Sequence, residues 1–424
     1  MKTFQKHTTK LSYVFGKVLL GACCTLPLMG YDTIDEALKN GITQGDVGFV
    51  TDYLKPDYAD ISNNLQDAYY LAITMGIQYR SAFYKNMRLS VGFRAAYPIW
   101  QWHRNSFWGP SSGDTTYIKR GDMSLDFDPL NRVLLSDTYL EYFDGDTSIK
   151  GGRFFIENEW ISNQVDGFWI RNRSLQDLML EFFWIGQYGE VTPTQMTAFT
   201  QPEPHHSGYF YTAAKYYLGD MFWAKLYLFS AYSVAFGIGT SANFEYKFSS
   251  SKIGLTFNTA GSFEFENGSK WLNTQKTIKG GDGIDLDVKF YVEGKIKNAS
   301  IGLDLGYIQT GKYSGWGSLN LLNNTISPLG IGNVFNNGIT DTSLFYGNLY
   351  TTFDAITLSL LYGTASFVNK SLGSKHFRQN EIDFQMSFNF TNNVSAFFNV
   401  YNTHLGNQAI PTTTEVQGGF KLSF

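Results

Sequence analysis

Apolar and polar residues alternate along most of this chain with a period of two. In "EVQGGFKLSF", Val416, Gly418, Phe420, Leu422 and Phe424 fall on one face, and Glu415, Gln417, Gly419, Lys421 and Ser423 on the other. In "EIDFQMSFNF", Ile382, Phe384, Met386, Phe388 and Phe390 oppose Glu381, Asp383, Gln385, Ser387 and Asn389. "GIDLDVKFYVEG" splits the same way, with Ile284, Leu286, Val288, Phe290 and Val292 against Asp285, Asp287, Lys289, Tyr291 and Glu293. Successive side chains of a β-strand point to opposite faces, so each segment predicts a strand with one greasy and one wet face. Comparable segments begin near residues 44, 67, 86, 134, 148, 174, 208, 221, 239, 252, 299, 342, 355 and 393. Each runs for roughly 10 to 13 residues, long enough to cross a bilayer's hydrocarbon at a tilt of about 45°.

The connections alternate between short and long. Counting back from the C-terminus, "NTHLGNQAIPTT" is long and "TNN" short, 367–378 is long and Asp354 marks a short turn, and 311–341 is very long while 297–298 is short. Upstream, 264–282 and 98–133 are long, and "LGD", "DGDT" and "YKN" are short. The alternation breaks only between 187 and 207, where a weak strand in "EVTPTQMTAF" restores it despite Pro193. The fold class expected is all-β: a transmembrane antiparallel β-barrel of about 18 strands, with about 16 the alternative, short periplasmic turns and long extracellular loops. The last strand then closes against the first, and the greasy faces meet lipid. "TIDEALKNG" reads as a short helical lead-in.

Composition agrees with a chain half in lipid and half in water. Phe and Tyr number 36 and 27, yet the mean hydropathy is -0.20. Beyond residue 30 no run approaches the roughly 18 apolar residues of a membrane-spanning helix. A net charge of -4 argues against a nucleic-acid partner. Residues 1–30 read as a signal peptide, with Lys2, Lys6 and Lys10 ahead of the largely apolar "LSYVFGKVLLGACCTLPLMG". Cleavage after Gly30 leaves a barrel of residues 31–424 without cysteine, because Cys23 and Cys24 are the only two. "LGAC" (Leu20 to Cys23) resembles a lipobox, so a lipidated Cys23 is the alternative.

Over this length the chain resembles the OprD-type porins and the related Campylobacter/Helicobacter-type outer-membrane porins. The residues that carry the resemblance are "IKGGRFF" (149–155), like the Gly-Arg strand ahead of those porins' inward-folding loop, and the "GFKLSF" ending. By count, "ENEWISNQVDGFWIRNR" (157–173) is the third external loop, the one that narrows a porin, although it lacks the prolines usual in OprD-type members. The resemblance implies a bacterial outer-membrane location, a surround of outer-membrane lipid, a monomer or homotrimer, and a Phe424 presented to the barrel assembly machinery. It also implies a basic ladder guiding solute carboxylates.

Strand parity assigns the wet face. Arg80, Arg88, Arg94 and Arg153 fall on it in the early strands, Glu141, Asp177 and Glu181 in the middle ones, and Asp285, Asp287, Lys289, Glu381 and Asp383 in the late ones. These are the candidate pore-lining residues; Lys215, Lys225, Lys247, Glu245, Glu293 and Asp304 share the same face. Arginines gather early and acids late, which sets unlike charges on different sectors of the wall and a field across the channel. The plainer alternative is that Arg–Glu pairs brace the wall. A slip of one residue in register inverts any single assignment. Trp100, Trp102, Phe107 and Trp108 fit an interfacial girdle better than a sugar platform.

No enzyme chemistry is expected. His103, His205, His206, His376 and His404 fall in expected loops, none beside a Ser and an acid on an inward face. "EPHHSG" lacks a fourth metal ligand, and "GIGTSANF" lacks the Gly-Lys-Ser/Thr ending of a phosphate loop, so no metal or other cofactor is expected. Two readings stay open. One is a porin passing small hydrophilic solutes, carboxylate-bearing ones among them, through a charged lumen narrowed by 157–173. The other is a surface adhesin or structural barrel whose loops at 98–133 and 311–341 bind a partner while the lumen is occluded.

Overall fold

A computed structural model describes residues 30–57, 67–102, 132–159, 161–201, 208–232, 234–266, 282–312, 329, 340–368, 376–405 and 412–424. Residues 1–29 with Cys23, most of the expected loops at 98–133 and 311–341, and His103, His205 and His206 lie outside them. A helix, α1 (Ile34–Lys39), precedes the strands β1 (Ile42–Pro56), β2 (Ala68–Arg80), β3 (Met87–Trp102), β4 (Val133–Leu135), β5 (Thr138–Phe143), β6 (Thr147–Glu157), β7 (Ser162–Asn172), β8 (Leu178–Gly189), β9 (Tyr209–Leu218) and β10 (Phe222–Ala231). They continue as β11 (Ala235–Lys247), β12 (Ser251–Glu264), β13 (Gly283–Ile296), β14 (Ala299–Thr310), β15 (Thr340–Phe353), β16 (Ile356–Val368), β17 (His376–Asn389), β18 (Val394–Leu405) and β19 (Thr413–Ser423).

Antiparallel neighbours follow chain order, and β19 returns to β1 from Asp46↔Ser423 to Pro56↔Thr413. Phe424 adds two backbone hydrogen bonds with Gly45, both 2.9 Å. β4 and β5 share one position: each pairs with β3, and Ser136 and Asp137 interrupt the ladder between them. The sheet is thus a closed barrel of 18 strand positions. Closure leaves no edge strand, so backbone donors and acceptors are satisfied where no water reaches them.

Phe49, Met75, Phe93, Leu140, Phe168, Leu226, Leu255, Leu305, Phe345, Leu360, Ile382 and Phe420 are exposed on the outer face. Register joins them into one belt, as where Phe49 sits opposite Phe420. Such a belt far exceeds the few hundred Å² of apolar patch typical of soluble monomers and matches the lipid-facing band of a membrane barrel. No helix among the described residues is long and apolar enough to cross a membrane. On the inner face Phe229 and Tyr227 cover Gly237 and Gly239 of β11, where a Cβ would collide with each ring. The rings therefore lie along the wall.

Thr33 caps α1, its Oγ1 accepting the Glu36 N–H at 3.2 Å. The helix docks beside the β2–β3 turn, where the Ala82 N–H donates to the Ala37 carbonyl at 3.0 Å and the Tyr79 hydroxyl donates to Leu38 O. The expected lead-in is therefore a fixed part of the barrel's end.

Two expectations fail, and their errors cancel in the strand count. Most of 157–173 is no loop but β7, paired with β6 from Glu157↔Ser162 to Thr147↔Asn172. "EVTPTQMTAF" is no barrel strand; it makes the isolated bridges Val191↔Met196 and Tyr188↔Thr200 around a turn at Pro193. Consequently 173–177 is a short turn, and β8 runs opposite to the direction the pattern implied. The cause is local: Ser162, Asn163, Gln164 and Val165 are buried in succession. A strand covered on both faces has no reason to alternate.

Candidate functional site: the inner face of the barrel

Charged residues of the early strands meet across one or two strand positions. The Arg94 guanidinium lies over Gly76 of β2 and donates to both carboxylate oxygens of Asp46 on β1, at 2.8 and 2.6 Å. A Cβ at Gly76 would occupy the space of that guanidinium, so the missing side chain is what lets the pair form. Arg88 sits opposite Glu141 and donates to it at 2.5 Å. Lys150, on the far side of Glu141, brings its Nζ to 4.0 Å from Glu141 Oε1 and lies 5.1 Å from the Trp169 ring. Trp169 Nε1 donates to Glu181 at 2.8 Å, and Arg171 stacks 4.7 Å from the same ring. Arg80 ends β2 opposite Ser90.

Two expected positions differ. Arg153 stands opposite Thr138 and Asp166 and so shares the parity of exposed Leu140 and Phe168, not of Lys150 and Glu141. It donates twice to Asp166, at 2.6 Å each, and packs on the Phe199 ring at 3.4 Å. The glycines before it, Gly151 and Gly152, carry no side chain from which its parity could be read. Asp177 lies in the turn ahead of β8, at φ 57°, and is outside the strand wall.

The late strands carry the acids. On β13, Asp285, Asp287 and Lys289 face Ala260, Asn258 and Thr256 of β12. Lys252 bridges Glu293 at 3.2 Å and Glu245 at 3.9 Å. Glu381 accepts from the Gln379 amide at 3.0 Å and from Thr403 at 3.4 Å. Asp383 lies between Leu361 and Tyr401. The Gln417 amide donates to Asp52 at 2.7 Å and to Glu415 at 2.8 Å. Asp46, Asp52, Lys150 and Arg171 were absent from the sequence-based candidates, although the same alternation extended to β1, β6 and β7 would have found them.

Glu159 carries no such signal. It sits at the tip of the β6–β7 hairpin, which lies against the inner face of β9 to β11. Its carboxylate accepts from the Tyr211 hydroxyl and the Ser241 hydroxyl, both at 3.1 Å, and pairs with the Lys225 ammonium. Behind the tip, Ile161 and Val165 are buried in one cluster with Ile185, Tyr209 and Tyr211. Phe183 and Tyr211 stack at 4.6 Å and 7°, and Tyr227 follows at 5.8 Å and 19°. His376 and His404 belong to β17 and β18, not to loops; His376 Nε2 lies 3.3 Å from Asp341, and His404 Nδ1 2.8 Å from the Thr412 hydroxyl. Among the described residues no group of three or more His, Cys, Asp and Glu is placed to hold a metal ion.

No family model and no curated protein matches the sequence. Solved structures do match. Pseudomonas aeruginosa OpdK with vanillate aligns at a TM-score of 0.66 and 12% identity, over 90% of this chain and 99% of that one. The fold is that of the OprD/Occ outer-membrane channels. Acinetobacter baumannii OccAB3 aligns at 0.65 and 10% identity, over 90% of this chain and 99% of its own, and OccD1 (OprD) at 0.61 and 10%, over 94% and 97%. These OprD/Occ neighbours are channels, not enzymes. Identities this low carry the fold and not the solute. They bear on the OprD part of the resemblance and leave the Campylobacter/Helicobacter part an expectation.

Proposed function

We propose that the chain is a channel of the bacterial outer membrane through which small hydrophilic solutes, carboxylate-bearing ones among them, diffuse down their gradients. The observation that carries this reading is the sorting of charge around a closed inner wall. Arg80, Arg88, Arg94, Lys150 and Arg171 stand on β2 to β7, while Asp285, Asp287, Asp304, Glu381, Asp383 and Glu415 stand on β13 to β19. Opposed arcs across a confined lumen create a field that orients a dipolar solute. A neighbour solved with vanillate, a carboxylate, supports the solute class. In this reading residues 1–30 are removed on export, residues 31–424 form the barrel, and Phe424 engages the assembly machinery.

Planar-bilayer recording of the purified protein tests the proposal. Stepwise, ohmic openings are expected. Silence from protein that keeps the heat-modifiable gel mobility of a folded barrel would replace the channel by the occluded adhesin or structural barrel, a reading that the Glu159 tip lying on the inner wall favours.

A further inference from the structure

The β6–β7 tip delivers a carboxylate to a place built to receive one. Its three donors come from three adjacent strands: Tyr211 from β9, Lys225 from β10 and Ser241 from β11. Strand pairing fixes them, since Lys225 lies directly opposite Ser241, and Tyr211 pairs with Phe229 farther along β10. Asn258 of β12 secures the arrangement from behind, accepting from the Tyr227 hydroxyl at 2.7 Å and lying 3.0 Å from Ser241 Oγ. The Lys225 and Glu159 side chains are only 10% and 12% exposed. A cation so enclosed requires a counter-charge, because its water has been stripped away. The requirement is for a carboxylate and not for this particular residue: every donor belongs to the rigid wall, and only the acceptor sits on a hairpin tip.

We infer that Lys225, Tyr211 and Ser241 form a carboxylate-binding site in the wall of the lumen, that Glu159 fills it as an internal ligand, and that a solute carboxylate displaces Glu159 from it. This rests on the channel reading above only in that the solute reaches the site through the lumen. Displacement is a competition, so the tip sets the concentration at which solute binds; its apparent affinity is reduced by the fraction of time the site is occupied by Glu159.

The test uses the full chain, benzoate as probe and neutral benzamide as control. Glu159→Gln keeps the size of the tip residue and removes its charge. In single-channel recordings benzoate is expected to interrupt the current of Glu159→Gln at concentrations at least fivefold lower than in wild type. The double variant Glu159→Gln with Lys225→Gln should lose the effect, and benzamide should act on none of them. The same ranking should appear, with no current required, as a benzoate-dependent rise in the thermal unfolding midpoint, because a ligand that binds only the folded state stabilises it. Equal benzoate sensitivity of wild type and Glu159→Gln, or sensitivity that survives in the double variant, overturns the inference. Silent bilayers with the ranking intact in the thermal measurement would sink the channel and leave the site. If Glu159→Gln does not fold, wild type against Lys225→Gln carries the same decision, benzoate raising the midpoint of wild type alone.

Discussion

On β3, β5 and β6 the charged side chains of the inner face meet opposite charges on strands one or two positions away, whereas on β17 to β19 carboxylates are held by amides and hydroxyls. Arg94 grips Asp46 and Arg88 grips Glu141, with Lys150 on the far side of the same carboxylate. Glu381 and Glu415, by contrast, accept from Gln379 and Gln417. Asp383 has no hydrogen-bond partner for either oxygen among the described residues. The difference is one of purpose. A cross-strand ion pair ties its strands together, and with Arg88 and Lys150 both on Glu141 the early arc keeps a net positive charge. An amide orients a carboxylate without cancelling it. The early arc is therefore braced by charge pairs, and the late arc holds its carboxylates, Glu381 and Asp383 among them, buried in the wall.

The sharpest break of that comparison sets Arg94→Gln against Asp383→Asn. Arg94 is 9% exposed. Losing it leaves Asp46 without its bidentate partner, at a cost of about 1–3 kcal/mol. The thermal midpoint of the folded barrel is expected to fall. Asp383→Asn replaces a buried carboxyl that no donor among the described residues holds, so its midpoint should stay or rise. Arg94→Gln also removes one positive charge from the inner face. In a potassium chloride gradient the reversal potential should move toward cation selectivity for Arg94→Gln and hold for Asp383→Asn, whose carboxyl is buried. The shift should fade as salt approaches 1 M, where the screening length is about 3 Å. Equal losses of midpoint in the two variants would erase the distinction between the arcs.

A gentler substitution separates pairing from charge. In Gly76→Ala the new methyl takes the place of the Arg94 guanidinium, which is the far end of a flexible side chain and moves aside. The ion pair weakens while the net charge of the lumen is unchanged. Stability should drop by less than the about 1–3 kcal/mol of losing Arg94 outright, because the guanidinium is displaced and not removed, and the reversal potential should hold. Added to Arg94→Gln, the change should cost little more, because the two act on one interaction. A shift of reversal potential as large as that of Arg94→Gln would show that geometry, not charge, governs selectivity.

What the sequence made legible follows the closed sheet. Wherever a strand has the exposed apolar belt on one face and the inner wall on the other, its period of two is clean, and β13, β17 and β19 read residue by residue. Legibility stops where the chain leaves that boundary. β7 turns its upper half into the protein, loses alternation and reads as a loop. Pro193 and its neighbours read as a strand only because the alternation of short and long connections requires one there. Strand parity puts Arg153 on the wet face, but it follows two glycines that show no face, and the register sets it on the other. Glu159 is the extreme case: nothing in "ENEW" shows that this carboxylate crosses to Lys225, because that contact depends on how the hairpin folds against strands some fifty and more residues away. Polar alternation reports a wall; it is silent about what leans on it.

The smallest expected effect lies outside the wall, in the short turn after β5. The Asp144 carboxylate accepts the backbone N–H groups of Thr147 at 2.7 Å and Asp146 at 3.1 Å, and the Tyr142 hydroxyl at 3.2 Å. These donors, the Thr147 N–H first, favour the charged form and hold its pKa below the ordinary 3.8. A carboxyl whose folded pKa is depressed stabilises the fold above its unfolded pKa and loses that contribution as pH falls through the folded value. Wild type should therefore exceed Asp144→Ala in thermal midpoint at pH 6, and the gap should narrow only below pH 3.8. Because the group is fully exposed the gap is small, and it belongs to neither arc. Measured beside Arg94→Gln, it gives the two sides of a direct contrast: a turn whose contribution titrates away with its own carboxylate, and a wall pair whose loss comes from removing one partner. A gap for Asp144→Ala that stays constant from pH 6 to well below 3.8 would mean that the turn is held by its backbone alone.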